Sequence, residues 1–138
     1  MSIIIPKTHQ DLIEGPIVVT LATVMPNGQP HTTIIWCRYD GQHILFSSSQ
    51  GTQKNKNIDH NPQVSLMALD PQNAGRYLEI RGVVESQFTD GAIQELDRIT
   101  QLYTGKPTYY GHIVPAESFG TRVHVISKIR PTKIVVRG

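Results

Sequence analysis

The chain has 138 residues, of which 17% are charged and 38% are hydrophobic, and its formal net charge is +2. This composition excludes a disordered protein, and the small positive charge gives no support to nucleic-acid binding. The apolar start at Ile3 is cut short by Pro6, and no run approaches the ~20 apolar residues of a membrane span. We therefore expect one domain over residues 1–138 that lies in the cytoplasm, with neither a nucleic acid nor a membrane as partner.

The first predicted elements are a short helix and a strand. Thr8 is a suitable cap for a helix that runs to about Ile13, before Gly15-Pro16 stops it. Residues 17–24, IVVTLATV, form a nearly continuous apolar and β-branched run, which predicts a strand buried on both faces. The Pro-Asn-Gly sequence at 26–28 then predicts a turn into the next strand.

The stretch 31–57 predicts a strand, a tight turn at Asp40-Gly41, a return strand and a polar loop that enters a short helix. With the preceding strand these elements are expected to form a three-stranded meander. The loop offers serine and threonine hydroxyls, and Gly51 allows backbone N–H groups to approach a ligand. Because Lys54 follows where the helix begins, the stretch predicts a phosphate site. The alternative is a solvated polar connection with ordinary surface lysines.

The second half of the chain begins with a second predicted hairpin. Residues 64–69 and 76–87 predict its two strands, because apolar and polar side chains alternate there or β-branched residues are frequent. Gly82 is expected at a bulge or barrel corner. Thr89 or Asp90 is then expected to cap the one long helix, because apolar residues recur at three- and four-residue spacing.

The C-terminal part predicts an irregular segment and a strand. Residues 106–117 contain two tyrosines and two prolines, which indicates an irregular aromatic loop. Residues 122–129 predict a strand that Arg130-Pro131 interrupts before residues 134–136 resume it. Antiparallel meanders with one main helix and short helices predict an α+β, mostly β barrel of about six strands.

The sequence contains no recognisable arrangement of catalytic side chains. Its six histidines are scattered without ligand spacing, so we expect no metal site. The single Cys37 lies in a predicted strand, which favours a packed thiol over a nucleophile. No catalytic residue is assigned from the sequence.

Four segments in this order resemble the pyridoxamine 5′-phosphate oxidase-like FMN-binding split-barrel family, and in particular its F420- or FMN-dependent oxidoreductases. The segments are LATVMPNGQPHTTIIW, ILFSSSQGTQKNKNIDHNPQVSLMALD, RYLEIRGVVE and KIRPTKIVV. The resemblance implies a six-stranded antiparallel split β-barrel that forms a homodimer, with the cofactor at the subunit interface. It also implies that FMN or coenzyme F420 is the cofactor.

The resemblance further implies a set of cofactor-binding residues. They are His31, Thr32, Thr33, Ile34, Ile35, Trp36, Ser47, Ser48, Gln53, Lys54 and Tyr77. The first six match a strand along the cofactor ring, the two serines lie near its phosphate, and Gln53 and Lys54 match a basic pair on the phosphate. Tyr77 falls beside the ring. His31 and Gln53 stand where the oxidase commonly has Arg, and Tyr77 stands where it has Gln, so the choice between FMN and F420 stays open.

The implied activity is hydride transfer between the bound cofactor and a small conjugated substrate. Such a cofactor carries the chemistry itself, which fits the lack of a catalytic arrangement. Vitamin B6 oxidation is not expected, because that oxidase extends into a C-terminal substrate-binding segment and this sequence ends at Gly138. The alternatives are a flavin-binding protein without turnover and a haem-handling protein, for which His112 and His124 are the ligands to test.

Two regions are left with open interpretations. The aromatic stretch with Tyr109, Tyr110 and His112 either covers the substrate crevice or packs on its own domain. The second region is the groove with Lys56 and Arg38. If the cofactor is a deazaflavin, its longer anionic tail is expected to reach one of these two cations.

Overall fold

The computed structural model describes residues 3–138. The helices are α1 (Asp11–Glu14), α2 (Gln53–His60) and α3 (Ala92–Thr104). The strands are β1 (Val19–Val24), β2 (Pro30–Ile35), β3 (Arg38–Tyr39), β4 (Ile44–Ser49), β5 (Gln63–Leu69), β6 (Tyr77–Phe88) and β7 (His124–Arg137).

All seven strands belong to one antiparallel sheet in the order β2-β1-β5-β6-β7-β4-β3. In a flat sheet the two edge strands would lie about 29 Å apart, six steps of about 4.8 Å. Yet only Trp36 and Cys37 separate β2 from β3, so the Cα atoms of Ile35 and Arg38 lie within about 11 Å. The sheet must therefore curl into a half-barrel, which confirms the predicted α+β, mostly β class with seven strands instead of six.

The predicted three-stranded meander is wrong beyond its first hairpin. β1 pairs with β2, with Val19 opposite Ile35, but the return strand β4 pairs with β7 and β3. The fully buried Cys37 lies where the chain leaves one sheet edge and enters the other. The extra strand β3 arises at this crossing. Local sequence does not reveal the crossing, because the partner strand β7 lies far along the chain.

β1 is also less buried than predicted. Val19 and Leu21 are fully buried, but Val18 and Thr20 on the other face are exposed. Within residues 3–138 no helix covers the outer face of β1, so the apolar run is half-buried.

The last strand is continuous where an interruption was predicted. Beyond Ile129, β7 pairs with β6 alone, so Pro131 lies on a strand edge where proline is tolerated. The predicted bulge at Gly82 is confirmed by a register shift between Arg81 and Gly82. A Cβ atom on Gly82 would lie 2.7 Å from the carbonyl oxygen of Arg130, so only glycine fits there.

The predicted helices are present, but two predicted caps are wrong. α1 begins at Asp11 after Gln10, while Thr8 contacts His9 through its hydroxyl. The N-cap of α3 is Gly91, in the left-handed region, without a side-chain cap.

The long helix α3 packs on β4 and β7 through a small cluster of Leu45, Ala92 and Ile126. Phe46 points the other way into the main core. β4 is therefore buried on both faces, which places its C-terminal serines between α2 and α3. None of the helices within residues 3–138 has the length and apolarity to cross a membrane.

Candidate functional site

A cavity of about 360 Å³ lies where the end of β2, the serines of β4, α2 and α3 meet. Its walls combine apolar and aromatic side chains with three neighbouring hydroxyls and one lysine. The lining residues are Ile34, Ile35, Trp36, Ser47, Ser48, Ser49, Lys54, Leu96, Ile99, Tyr109, Ile113 and His124. This combination suits a flat apolar ring with an anionic substituent.

The cavity brings together part of the predicted cofactor-binding set. Its lining includes Ile34, Ile35, Trp36, Ser47, Ser48 and Lys54. In the protomer the other predicted residues lie outside the lining: His31, Thr32, Thr33, Gln53 and Tyr77. Tyr77 pairs with Arg137, at the opposite end of β7 from the cavity.

Lys54 lies in the first turn of α2 and is half-buried against the cavity. Within residues 3–138 it forms no ion pair. Burial lowers the pKa of its ammonium group because no carboxylate compensates the lost solvation. The N-cap residue Thr52 donates its hydroxyl to the carbonyl of Ser49, so no side chain caps the first turn. An anion in the cavity would meet both the ammonium and the helix N-terminus.

Of the predicted pair on the phosphate, Gln53 and Lys54, only Lys54 lines the cavity. Gln53 is exposed and donates its amide to Asn57 Oδ1 at 2.7 Å. Arg38, considered for an anionic tail, instead donates two hydrogen bonds to Glu95 at 2.7 and 2.8 Å. Lys56 is exposed and faces a different depression. Of the described lining residues, Lys54 alone carries a permanent charge.

The two predicted serines lie on opposite faces of β4 and differ in role. Ser48 is buried and donates its hydroxyl to Asn55 Oδ1 at 2.7 Å, while Asn55 Nδ2 donates to the carbonyl of Ser49 at 2.8 Å. These bonds hold α2 against the end of β4. Ser47 faces α3, and its Oγ lies 3.4 Å from Nδ1 of His124.

His124 begins β7 and is a cavity residue that the sequence analysis did not assign to the cofactor. Its Nε2 lies 2.6 Å from the hydroxyl of Tyr110, and the rings of Tyr109 and Tyr110 contact its ring edge-on. Burial and the nearby Arg122 lower the pKa of His124, so its ring is neutral at pH 7.

The aromatic segment 108–114 lies against the cavity. Tyr109 and Ile113 line it, and the backbone N–H of Tyr109 donates to Asp97 Oδ1 at 2.9 Å. This bond ties the segment to α3. The segment therefore both forms a cavity wall and packs on its own chain.

Trp36 is held by packing behind it. Its ring stacks on Tyr103 at 5.1 Å, and the Tyr103 hydroxyl donates to the Ile17 carbonyl at 2.7 Å and accepts from the Cys37 N–H at 3.1 Å. Cys37 itself is fully buried, and burial raises the pKa of its thiol to about 12. The prediction of a packed thiol is confirmed.

β2 has buried polar groups that find no hydrogen-bond partner within residues 3–138. It pairs only with β1, so within residues 3–138 its second edge is free. Nδ1 of His31 and Oγ1 of Thr33 are buried without a hydrogen-bond partner. Ile34 points to the opposite face and is 70% exposed. These features fit a ring-shaped ligand or a second subunit along this strand.

No group of three or more potential metal ligands is present in the described part of the chain.

A sequence model of the family described as pyridoxamine 5′-phosphate oxidase matches residues 5–130. The pyridoxine/pyridoxamine 5′-phosphate oxidase of Edwardsiella ictaluri (strain 93-146) is 36% identical over 55 residues, 39% of this chain and 25% of that protein. The chain thus spans about a quarter of the length of this curated relative.

Solved structures extend the likeness over nearly the whole chain. An F420 reductase is 33% identical with a TM-score of 0.80, covering 95% of this chain and 98% of that one. HutZ, a haem storage protein from Vibrio cholerae, is 19% identical with a TM-score of 0.66, covering 89% of this chain and 87% of that one. The second likeness is one of fold alone.

Proposed function

Because this chain belongs to the pyridoxamine 5′-phosphate oxidase family, we propose that it is an oxidoreductase that transfers a hydride between bound F420 or FMN and a small conjugated substrate. The observation that carries the proposal is Lys54, which is half-buried and has no ion-pair partner within residues 3–138, and which lines the cavity together with the serines of β4. The proposal assigns residues 1–138 to one cofactor-binding domain.

Within this proposal we favour F420 over FMN. The preference rests on the F420 reductase that is 33% identical and covers 95% of this chain. Lys54 lines the cavity and is available to the phosphate of either cofactor.

In this proposal the protein binds and orients the cofactor. A flavin or deazaflavin supplies the hydride chemistry when bound. Lys54 and Ser47 hold its phosphate, and the walls formed by Trp36 and Ile35 exclude water from its ring. His31, Thr32 and Thr33 lie along the free edge of β2, where backbone groups are available to the ring. Gln53 would bind the phosphate, and Tyr77 would lie beside the ring, only if a second subunit completes the site.

The proposed assembly is a homodimer formed through the outer face of β2, β1 and β5. Ile34, Thr20 and Met67 lie directly across from one another in the register, and Ile34 and Met67 are exposed. Val18 and Leu69 extend this apolar surface. Ile34 also lines the cavity, so the same contact would close the cavity with the partner's surface.

The function is tested by titrating the purified protein with F420 and with FMN, following ligand fluorescence. We expect tighter binding of F420, and oxidation of reduced F420 by quinone or enone acceptors faster than the uncatalysed rate. Failure to bind either cofactor would reject the proposal. Binding without turnover on any acceptor would favour the alternative of a flavin-binding protein without catalysis.

The haem alternative has no specific support in the site. Both ring nitrogens of His124 are engaged, by Ser47 and Tyr110, and His112 is exposed on the surface. Haem titration of the wild-type protein and of the His112→Ala variant tests it. An absorption change on haem addition that depends on His112 would revive this alternative.

The dimer is tested with Ile34→Asp, which places a charge in the proposed interface. We expect the wild type to sediment as a dimer and the variant as a folded monomer with weaker cofactor binding. A monomeric wild type would contradict the proposed assembly.

A further inference from the structure

We infer that Tyr110 is a positioning residue: through His124 it directs the hydroxyl of Ser47 into the cavity as a hydrogen-bond donor to an anion. This inference deepens the proposed function, since it assumes that the ligand carries a phosphate.

The first step is to identify which hydroxyl remains available. The Ser48 hydroxyl already donates its hydrogen bond to Asn55 Oδ1, so it is not available as a donor to a ligand. Ser49 lines the cavity with a hydroxyl that has no partner within residues 3–138, so this group rotates freely. Of the two hydroxyls that remain, those of Ser47 and Ser49, only that of Ser47 has a neighbour, His124, that sets its orientation.

The second step concerns the tautomer of His124. A neutral imidazole has one N–H donor and one acceptor nitrogen. Nε2 lies 2.6 Å from the Tyr110 hydroxyl, and a phenol is a better proton donor than a neutral imidazole N–H. Tyr110 therefore donates to Nε2, which places the single imidazole proton on Nδ1. Burial of His124 keeps the ring neutral at pH 7.

The third step follows from that proton. Nδ1–H points to Ser47 Oγ at 3.4 Å, so the Ser47 oxygen accepts from the histidine. The Ser47 proton must then point elsewhere, and the cavity with Lys54 is the space that Ser47 also lines. A phosphate would thus meet the ammonium of Lys54 and the hydroxyl of Ser47 as two converging donors.

Without the Tyr110 hydroxyl, the hydrogen bonds from Tyr110 through His124 to Ser47 lose their fixed direction. Nε2 is then free to carry the proton, and Nδ1 becomes an acceptor for Ser47. The Ser47 hydroxyl would turn toward His124, and its oxygen would face the phosphate with a lone pair.

The test is Tyr110→Phe, which keeps the edge contacts to Tyr109 and Phe119 but removes the hydroxyl. Affinities are measured for F420 and for its phosphate-free parent deazaflavin, and for FMN and riboflavin. We expect the phosphate-bearing ligands to bind about tenfold more weakly to the variant, the size of one hydrogen bond to a charged group. The phosphate-free rings should bind as they do to the wild type.

Two further variants separate positioning from general loosening of the segment. Phe119→Leu disturbs the same aromatic packing without touching the hydrogen bond, and should leave the ratio of the two affinities unchanged. In a Ser47→Ala background, Tyr110→Phe should have no further effect on phosphate binding, because the donor it orients is gone. An equal loss for ligands with and without phosphate would overturn the inference.

A spectroscopic measurement tests the inference apart from the proposed function. Nitrogen-15 NMR of His124 in the wild type should show the proton on Nδ1, and Tyr110→Phe should shift it toward Nε2. A wild-type ring protonated on Nε2 would overturn the inference even if no cofactor binds. Absence of all cofactor binding with the Nδ1 tautomer present would reject the proposed function and the phosphate-donor role together, and would leave only the link between Tyr110 and the tautomer.

Discussion

Two charged side chains, one buried and one half-buried, belong to the two helices that contribute to the cavity lining, α3 and α2, and their surroundings differ. The side chain of Glu95 in α3 is 4% exposed and accepts two hydrogen bonds from Arg38, with Arg98 at 3.3 Å. Lys54 in α2 is half-buried without a carboxylate partner within residues 3–138. The first charge is satisfied by the protein itself, whereas the second is left for a ligand.

This difference separates a structural charge from a binding charge. Burying an ion is costly, and pairing returns most of that cost within the folded chain. The Glu95–Arg38 pair fastens α3 to the segment after Trp36 and so fixes two cavity walls. The cost at Lys54 is offset only when an anion arrives, so stability and ligand affinity should respond in opposite ways at the two sites.

The largest effect on stability is expected from Glu95→Gln. The variant leaves Arg38 without its carboxylate, and we expect the free energy of unfolding to fall by about 3 kcal/mol, at the lower end for breaking a buried pair because Arg38 retains solvent contact. Urea unfolding followed by circular dichroism measures it. A change below about 1 kcal/mol would show that Glu95 does not differ from an ordinary surface carboxylate.

A smaller loss is expected from Arg38→Lys. The lysine keeps the positive charge but replaces two parallel hydrogen bonds with one, which should lower the free energy of unfolding by about 1 kcal/mol. The same urea experiment detects it. Stability equal to the wild type would mean that charge alone, without the bidentate geometry, explains the pair.

At the other charge we expect a change of opposite sign. Lys54→Met removes a half-buried ammonium and retains the aliphatic stem, so the ligand-free protein should gain about 0.5–1 kcal/mol in stability. Thermal unfolding without added cofactor is the measurement. A clear loss of stability would indicate that Lys54 has a structural partner and would remove the contrast with Glu95.

The smallest effect is expected from Arg98→Ala, the matched control for the Arg38 variant. Arg98 is mostly exposed and reaches the same carboxylate at 3.3 Å. Exposed ion pairs contribute little, so stability should change by less than about 0.5 kcal/mol. A loss as large as that of Arg38→Lys would mean that both arginines share the buried carboxylate equally.

The sequence predicted those parts of the site that lie close together along the chain. The serines of β4 and the lysine at the start of α2 belong to one continuous segment, and their chemistry is readable from local patterns. Gly51, predicted to let backbone groups approach the ligand, lies in the same segment but outside the cavity lining. His124 was not assigned to the cavity because β7 reaches the loop only through the sheet order. Leu96 and Ile99 are among the apolar residues whose three- and four-residue spacing predicted the long helix, but that spacing does not reveal that they line a cavity, because this depends on how the helix packs.

The same limit explains the errors in the fold. The strand class and the bulge at Gly82 followed from alternation and composition, which act within a few residues. The crossing between Ile35 and Arg38 depends on pairing of β4 with β7, about 80 residues away along the chain. Likewise, neighbouring Ser47 and Ser48 were assigned one role, although pleating places them on opposite faces of β4.

The most direct test of the account measures cofactor affinity in the wild type and in Lys54→Ala, using F420 and the same deazaflavin without its phosphate. We predict that the variant binds F420 more weakly by about 1.5–3 kcal/mol, the contribution of a hydrogen bond to a charged group, and binds the phosphate-free ring unchanged. Equal affinity of the two proteins for F420 would contradict the claim that Lys54 holds the anion.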